Sequence, residues 1–377
     1  MSEIVDFAVV GAGIAGASIA SELASSGQTV LLEMERQAGY HTTGRSAAMF
    51  APAYGPPPIR ALTRASAAFF DEPPQGFTET PLLSPRDTLL VARHDQQDTF
   101  NAVHRDLSMD GSVTVLDADA LASRYPLLAD GYAENAILDR NGSDIDVAAL
   151  HQGYLRSFKA KGGDTRLSTE VRGLRREASV WHISTPGGEL RARTVINAAG
   201  AWGETLGRLA GAEAVGLVPK RRTAMTIAAP EDFETRDYPL IVDIAEQFYL
   251  KPETGGLLIS PANEDPEQPC DVRPDEMDIA LCIDRIERAF KLSIKRIDSK
   301  WSGLRSFVAD KCPVVGYSDV APAFFWFVGQ GGYGIQSAPA MGRLGAALAT
   351  GSDVPADILA EGLSVMDLAP ERLAQAA

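Results

Sequence analysis

A run of apolar residues, Phe7 to Val10, breaks into Gly11-Ala12-Gly13-Ile14-Ala15-Gly16. An alanine-rich stretch follows, then a second apolar run, Thr29 to Leu32, closed by Glu33. This order predicts a strand, a tight glycine turn, a helix and a parallel strand. Gly11 permits the turn, Gly13 lets backbone amides approach a pyrophosphate, and Gly16 lets the helix pack closely on the strand. The helix start offers unpaired N–H groups and the positive end of its dipole to phosphate oxygens. Glu33 lies 22 residues after Gly11, where a carboxylate can accept hydrogen bonds from both hydroxyls of a ribose.

With 377 residues the chain exceeds one ordinary core, and two domains are expected. Its formal net charge of −15 argues against a nucleic-acid partner, because nothing in the bulk balance attracts a phosphate backbone. The basic clusters are short, Lys220-Arg221-Arg222 and Arg172 to Arg176, and the second reads as a solvated strand edge. No run of 18 apolar residues is present, so no membrane span is expected. The first apolar run lacks a basic leader, and its glycines belong to the turn rather than to a signal peptide. Cys270, Cys282 and Cys312 show no metal or redox spacing, which predicts reduced thiols, no metal site and a cytoplasmic protein.

After Glu33 the regular alternation stops. A Gly/Ser/Thr-rich loop, Gly39 to Ala48, leads to the proline-rich Pro52 to Pro58, which is read as neither helix nor central strand. Ile59 to Phe70 has a helical apolar face, and Val147 to Lys159 reads as a helix after the cap region Asp144-Ile145-Asp146. Strands are expected at Thr88 to Val91 and Gly131 to Leu138. Thr165 to Val171, Val180 to Ser184 and Glu189 to Arg193 are expected to pair antiparallel and to lead into Thr194 to Trp202, a buried strand ending in a glycine. Further strands are expected within Leu217 to Ile259, then a helix from Met277 to Phe290. The fold class is therefore α/β: a discontinuous Rossmann-like nucleotide domain (1–80, 145–216, 302–377) with an inserted β-rich substrate domain (81–144, 217–301).

The last quarter repeats the opening chemistry. Phe324 to Val328 reads as a buried strand, Gly329 to Gly334 as a glycine turn, and Ser337 to Ala349 as a small-residue helix. A second helix start suits the electron-rich ring of a flavin, which carries negative charge when reduced, whereas an NAD protein needs no second turn.

With these residues in place, the chain resembles the D-amino-acid-oxidase-type flavoprotein superfamily over essentially its whole length. The resemblance rests on Val9 to Gly16 with Glu33, Gly44-Arg45-Ser46, Val195 to Trp202, Gly303-Leu304-Arg305, Pro313 to Gly316, and Gly331 to Ile335 with Pro339. Within it, Gly39-Tyr40-His41, Pro81 to Arg86, Lys220-Arg221-Arg222, Phe248 to Pro252 and Gly303 to Asp310 resemble the bacterial FAD-dependent D-arginine dehydrogenases most closely. The resemblance implies non-covalent FAD, because the position of covalent attachment in some relatives corresponds to Arg305 rather than to Cys312. It implies cofactor contacts from Ile14, Ala15, Met34, Gly44, Arg45, Ser46, Ala47, Ala48, Val171, Ala199, Gly200, Trp202, Gly331, Gly332, Tyr333, Gly334 and Ile335.

The chemistry implied is hydride removal from the α-carbon of an amino acid, giving an imino acid that hydrolyses to a 2-oxo acid and ammonia. The electron acceptor is a quinone-like carrier or oxygen, and the protein is either free in the cytoplasm or peripheral to a membrane. A carboxylate clamp favours arginine, whose planar fork makes paired bonds. Neighbouring strand residues face opposite ways, so the sequence alone leaves Arg221 and Arg222 open; the resemblance assigns the clamp to Arg222 and Arg305, with Tyr249 donating a further bond. Gly332 and Gln336 match positions that hold the substrate amine, and Tyr54 matches a mobile lid. The D-arginine enzymes carry a glutamate where this chain has Thr88, a histidine where it has Met49 and a threonine where it has Ala51. Those departures imply a preference for neutral or hydrophobic D-amino acids. The alternative is a glycine- or sarcosine-type amine oxidase using oxygen.

Overall fold

The computed structural model describes residues 4–108, 113–231, 233–234, 236–253 and 255–373. Its first sheet is built on the strand Ile4–Val10, paired in parallel with Thr29–Leu32 on one side and with Gly188–Asn197 on the other. Asp164–Arg166 extends it beyond Thr29–Leu32. Gly188–Asn197 is long enough to serve two partners, the antiparallel hairpin strand Val180–Thr185 along its first half and Phe324–Val328, in parallel, along its second. Alternate residues feed two cores: Val9, Leu31, Ile196 and Phe325 face one way, Ala8, Val30, Val195 and Trp326 the other. That burial on both faces is why these strands read as continuous apolar runs.

The helices Ile14–Leu23 and Gly334–Thr350 pack together on one face, close enough that a Cβ on Gly342 would lie 3.0 Å from the Ser18 Cβ. Gly16 is more severely constrained, since a Cβ there would lie 1.7 Å from the Gly11 carbonyl oxygen. Gly11 has φ +100° and has the Ala198 carbonyl behind it. The expected turn is thus a place where side chains do not fit.

The second sheet runs in the order 265–266, 218–227, 256–260, 249–253, 240–243, 88–92, 135–139, 113–117, with Ser299–Phe307 on the far edge of Val218–Ile227. One face carries Met225, Ile259, Leu250, Ile241 and Leu89 into a core closed by the helix Glu276–Ala289. The other face looks toward the first domain. Among the described residues, no helix is long and apolar enough to cross a membrane.

Several expectations need correction. Thr165 to Val171 is not an antiparallel strand: Asp164–Arg166 pairs in parallel with Thr29–Leu32, and Ser168, at φ +51°, breaks the extended run. The antiparallel edge strand is Gly173–Glu177, which carries the exposed Arg175 and Arg176, with the exposed Arg172 just before it. Pro57 and Pro58, placed in a non-helical stretch, open the helix Pro57–Asp71, where a missing N–H costs nothing. The strand expected from Gly131 begins at Asn135. The boundary at 301/302 falls inside Ser299–Phe307, which pairs with Val218–Ile227 over its whole length, and the boundary at 144/145 falls inside Ser143–Ile145.

Candidate active site

A long cleft lies between the two sheets. At one end are Glu33, Met34, Thr169 and Val171; along it run Gly11, Gly13, Ile14 and Ala15; at the other end are Gly331, Gly332, Arg305, Arg222 and Tyr249. Arg45, Ser46, Ala47, Ala199, Gly200, Trp202, Gly334 and Ile335 also line it, as expected. Gly16, Gly44, Ala48 and Tyr333 do not. Gly16 backs onto Gly11, and a Cβ on Gly44 would lie 2.7 Å from the Gly39 carbonyl. Tyr333 is packed between the rings of Phe307 and Tyr54. Arg45 reaches the cleft only along its length, because its guanidinium is bonded to Asp271 and to the carbonyls of Val272 and Ser302.

Glu33 is 7% exposed and accepts the Ala12 N–H at 2.8 Å and the Glu35 N–H at 3.0 Å. The carboxylate that was expected to read a ribose therefore also fixes the turn. A carboxylate has about four acceptor sites, so both tasks are compatible. The helices Ile14–Leu23 and Gly334–Thr350 both start at the cleft, and neither has an acidic residue in its first turn. Two positive helix ends along one groove suit an anionic cofactor with two separated electron-rich parts.

The Arg221/Arg222 ambiguity is resolved by sheet register. Arg222 lies opposite Gly303 and Lys220 opposite Arg305 on the cleft side. Arg221 faces the other way and is tied to Asp278 and Glu267. Residues directly opposite in adjacent strands share a face, so Arg222, Lys220 and Arg305 form one cationic group.

Arg222 is 7% exposed; its Nε donates to the Asn263 carbonyl at 2.9 Å and its Nη2 to Glu264 Oε1 at 3.2 Å. Burial and then the neighbouring Arg305 push its guanidinium below the ordinary value, opposed by Tyr249, Tyr54 and Glu264. Among the described residues Arg305 has no hydrogen-bond or ion-pair partner, and its Nη1 lies 2.9 Å from where a Gly332 Cβ would stand. Two guanidiniums side by side, one of them unpaired, call for an anion between them.

Tyr54 lies in the loop before Pro57–Asp71 and meets the Tyr333 ring at 5.2 Å between centroids. The residue is 38% exposed, yet its phenol is pushed up to about 12 by burial and by Glu246, with Arg305 and Arg222 pulling the other way. Its hydroxyl end thus feels the arginine pair while one flank meets solvent. Gln336 is 3% exposed; its Oε1 accepts the Ala51 N–H at 3.0 Å, and its Nε2 is buried with no partner.

Tyr54, Gln336, Met49, Ala51 and Thr88 stand behind or beside the cleft rather than along its wall. Thr88 pairs with Leu240, which lies in register with Lys251, two residues from Tyr249; Thr88 is thereby on the cleft-facing side of the sheet. Its Oγ1 is buried and unpartnered.

Sequence reasoning missed Glu264. Its Oε2 accepts from both Lys220 and Lys311 at 3.1 Å while Oε1 takes Arg222. Burial pushes this carboxyl up, but the two lysine bonds outweigh it and hold the group below the ordinary carboxylate value. In the sequence Asn263-Glu264-Asp265 looks like any polar turn. His41, which lines the cleft against Trp202, and the ion pair between the buried Lys251 and the half-buried Asp144 were missed as well. None of Cys270, Cys282 and Cys312 lines the cleft.

Residues 6–348 match the family model described as DAO, FAD dependent oxidoreductase. Glycine oxidase of Bacillus licheniformis is 24% identical over 360 residues, covering 93% of this chain and 94% of that protein. Human mitochondrial dimethylglycine dehydrogenase is 24% identical over 150 residues, 39% of this chain but only 17% of the dehydrogenase's length. The crystal structure of glycine oxidase from Geobacillus kaustophilus superposes with a TM-score of 0.82 at 22% identity, over 93% of this chain and 96% of that one. The glycine turns, the long cleft between two sheets and a family match over most of the chain agree: the protein belongs to the DAO family of FAD-dependent oxidoreductases.

Proposed function

We propose that the protein is an amino acid dehydrogenase that prefers D-amino acids with neutral or hydrophobic side chains. The observation that carries this reading is the Arg222–Arg305 pair, one of whose members has no partner among the described residues. An α-carboxylate fits between the two guanidiniums with charge-assisted bonds, and Tyr249 and Tyr54 stand beside it. This places the α-carbon at the Gly331–Gly332 end of the cleft. FAD, when bound, supplies the hydride acceptor there. The chain's own residues hold the carboxylate, keep the amine next to Gly332 and Gln336, and close the site with the Tyr54 loop against water.

The side-chain preference rests on a cleft wall that, among the described residues, carries no carboxylate at that end; Glu264, beside Arg222, is taken by that arginine and by Lys220 and Lys311. The acids lining the cleft among the described residues, Glu33 and Glu170, belong to the opposite end. Thr88, Met49 and Ala51 occupy the distal positions; the carboxylates nearest them, Asp139 opposite Thr88 and Asp144 opposite Met49, are engaged by Asn141 and by Arg86 with Lys251, and methionine offers an adaptable apolar surface. Non-covalent FAD is supported by the absence of cysteine from the cleft wall, and acid precipitation should leave the flavin in the supernatant.

Anaerobic mixing with D- and L-amino acids, glycine and sarcosine, followed by loss of flavin absorbance, tests the reading. D-methionine, D-leucine and D-phenylalanine should bleach the flavin faster than D-arginine, D-lysine or any L-isomer; faster bleaching by D-arginine overturns it. The alignment with glycine oxidase over 93% of the chain favours a second reading, a glycine- or sarcosine-type amine oxidase. Fastest bleaching by glycine or sarcosine, with hydrogen peroxide formed in air, would establish it.

A further inference from the structure

His151, on the helix Val147–Ala160, is 4% exposed and has no part in the chemistry above. Its Nε2 donates to the Ala12 carbonyl at 2.9 Å. A carbonyl only accepts, so this nitrogen carries the ring proton. The N–H of Ala12 is held by Glu33, and the Ile14 N–H by Thr43 Oγ1 at 2.9 Å. The shape of the Gly11–Gly13 turn is thereby set by side chains from three separate segments. The other edge of the His151 ring is wedged against Gly39 (φ +75°), where a Cβ would lie 2.9 Å from Cε1 and 3.1 Å from Nδ1. Among the described residues Nδ1 has no hydrogen-bond partner.

We propose that His151 is a positioning residue for the cofactor turn, and that FAD is retained while its ring is neutral and released as it takes up a proton. Protonation places a charge on a ring only 4% exposed, beside the positive end of the helix Ile14–Leu23. Burial, opposed by the bond to Ala12, holds the ring below its ordinary value. Of the charged groups on the packed elements, Glu33 is engaged by the Ala12 and Glu35 N–H groups, Glu35 by His41, Arg45 by Asp271 and Arg166 by Asp164, while Glu22 lies at the far end of the helix Ile14–Leu23 from Ala12. On the ring's own helix and just past its end, Arg156 and Lys161 are turned to the carbonyls of Phe77 and Ser21. The loaded state therefore binds fewer protons than the opened one, and release is promoted as pH falls below roughly 6.5, the ordinary histidine value.

The test follows the rise in flavin fluorescence after dilution of the holoenzyme at pH 7.5 and 5.5. Wild type should release FAD about 10-fold faster at pH 5.5. His151→Gln keeps a donor but does not titrate, and its two rates should agree within about twofold. His151→Phe lacks the donor and should release FAD about 10-fold faster than wild type at pH 7.5. If His151→Phe does not load, His151→Gln alone carries the test. The same pH ratio in His151→Gln as in wild type, or wild-type retention by His151→Phe at pH 7.5, overturns the proposal.

Discussion

Glu264 holds Arg222 through one carboxylate oxygen, Oε1 at 3.2 Å, and spends the other on Lys220 and Lys311. Three cations share one anion, so the carboxylate cannot neutralise Arg222 fully, and the remaining positive charge is available to a substrate carboxylate. Replacing it by Gln leaves a buried guanidinium and two ammonium groups without a counter-charge. Breaking a fully buried pair costs about 3–5 kcal/mol. Glu264 is a quarter exposed, so about 2 kcal/mol is expected for Glu264→Gln. A fall in Tm at pH 7 checks this. Because the carboxyl sits below its ordinary value, its contribution is present above roughly pH 4.5 and is lost as pH falls further. The Tm difference between wild type and variant should therefore shrink toward pH 4.

Arg305 should behave oppositely. It has no ion pair to lose among the described residues, and its removal relieves the like charge on Arg222. Arg305→Met should leave Tm unchanged or raise it, while KM for a good substrate rises about 10- to 100-fold through loss of a charge-assisted bond. Steady-state kinetics with thermal denaturation separates the two effects. A variant with wild-type KM would remove Arg305 from the clamp.

The different legibility of these two regions has a physical cause. The first glycine turn could be read directly because its constraints are local: Gly11 and Gly16 are each excluded from bearing a Cβ by atoms within the same βαβ unit or its immediate sheet neighbour. The Arg222–Arg305 pair could not, because parity along Lys220-Arg221-Arg222 has no meaning until Gly303 and Leu304 are laid against it. Glu264 and Lys311 become partners only through that same sheet. Thr165 to Val171 was misread because its pairing is decided by Thr29–Leu32, far away in sequence, and by a left-handed residue at Ser168 that no pattern announced.

Tyr54 sets a pH prediction. Its phenol is pushed up to about 12, so it remains a neutral donor throughout pH 6–10. The neutral form is the one favoured in the folded protein, and its contribution is lost only as pH rises past the ordinary tyrosine value near 10. Tyr54→Phe should lower kcat/KM about 10-fold through one lost hydrogen bond, by the same factor at every pH in that range. The rising limb from the substrate amine should be unchanged. A ratio that collapses between pH 8 and 10 would show that Tyr54 ionises there.

Gly331 stands at φ +54°, with the Phe307 ring where its Cβ would be: the nearest carbon would be at 2.0 Å. Phe307 is held in turn by Lys220 and Lys311, each about 5.5 Å from the ring centroid. The ring cannot give way without disturbing the group around Arg222. Gly331→Ala should therefore lose FAD affinity and KM together, and the flavin-to-protein absorbance ratio of the purified variant reads the first directly. Full FAD loading would show that the turn yields.

Thr88 offers a direct test of the proposed side-chain preference. It sits on the cleft-facing side of its strand, next to Leu240, with Lys251 one strand further and already bonded to Asp144 at 2.9 Å. Thr88→Glu adds a carboxylate where an unpartnered hydroxyl is buried. Without ligand this carboxylate is desolvated, and Tm should drop. A substrate guanidinium supplies the missing counter-charge, with about 1.5–3 kcal/mol from a charge-assisted bond, so the ratio of kcat/KM for D-arginine over D-methionine should rise about 10- to 100-fold. By mass action D-arginine should raise the variant's Tm more than D-methionine does under anaerobic conditions, the reverse of wild type. If Lys251 turns to the new carboxylate instead, Tm recovers without any ligand and the ratio stays at the wild-type value. That result would remove Thr88 from the substrate's surroundings, and with it the structural basis for a preference against basic side chains.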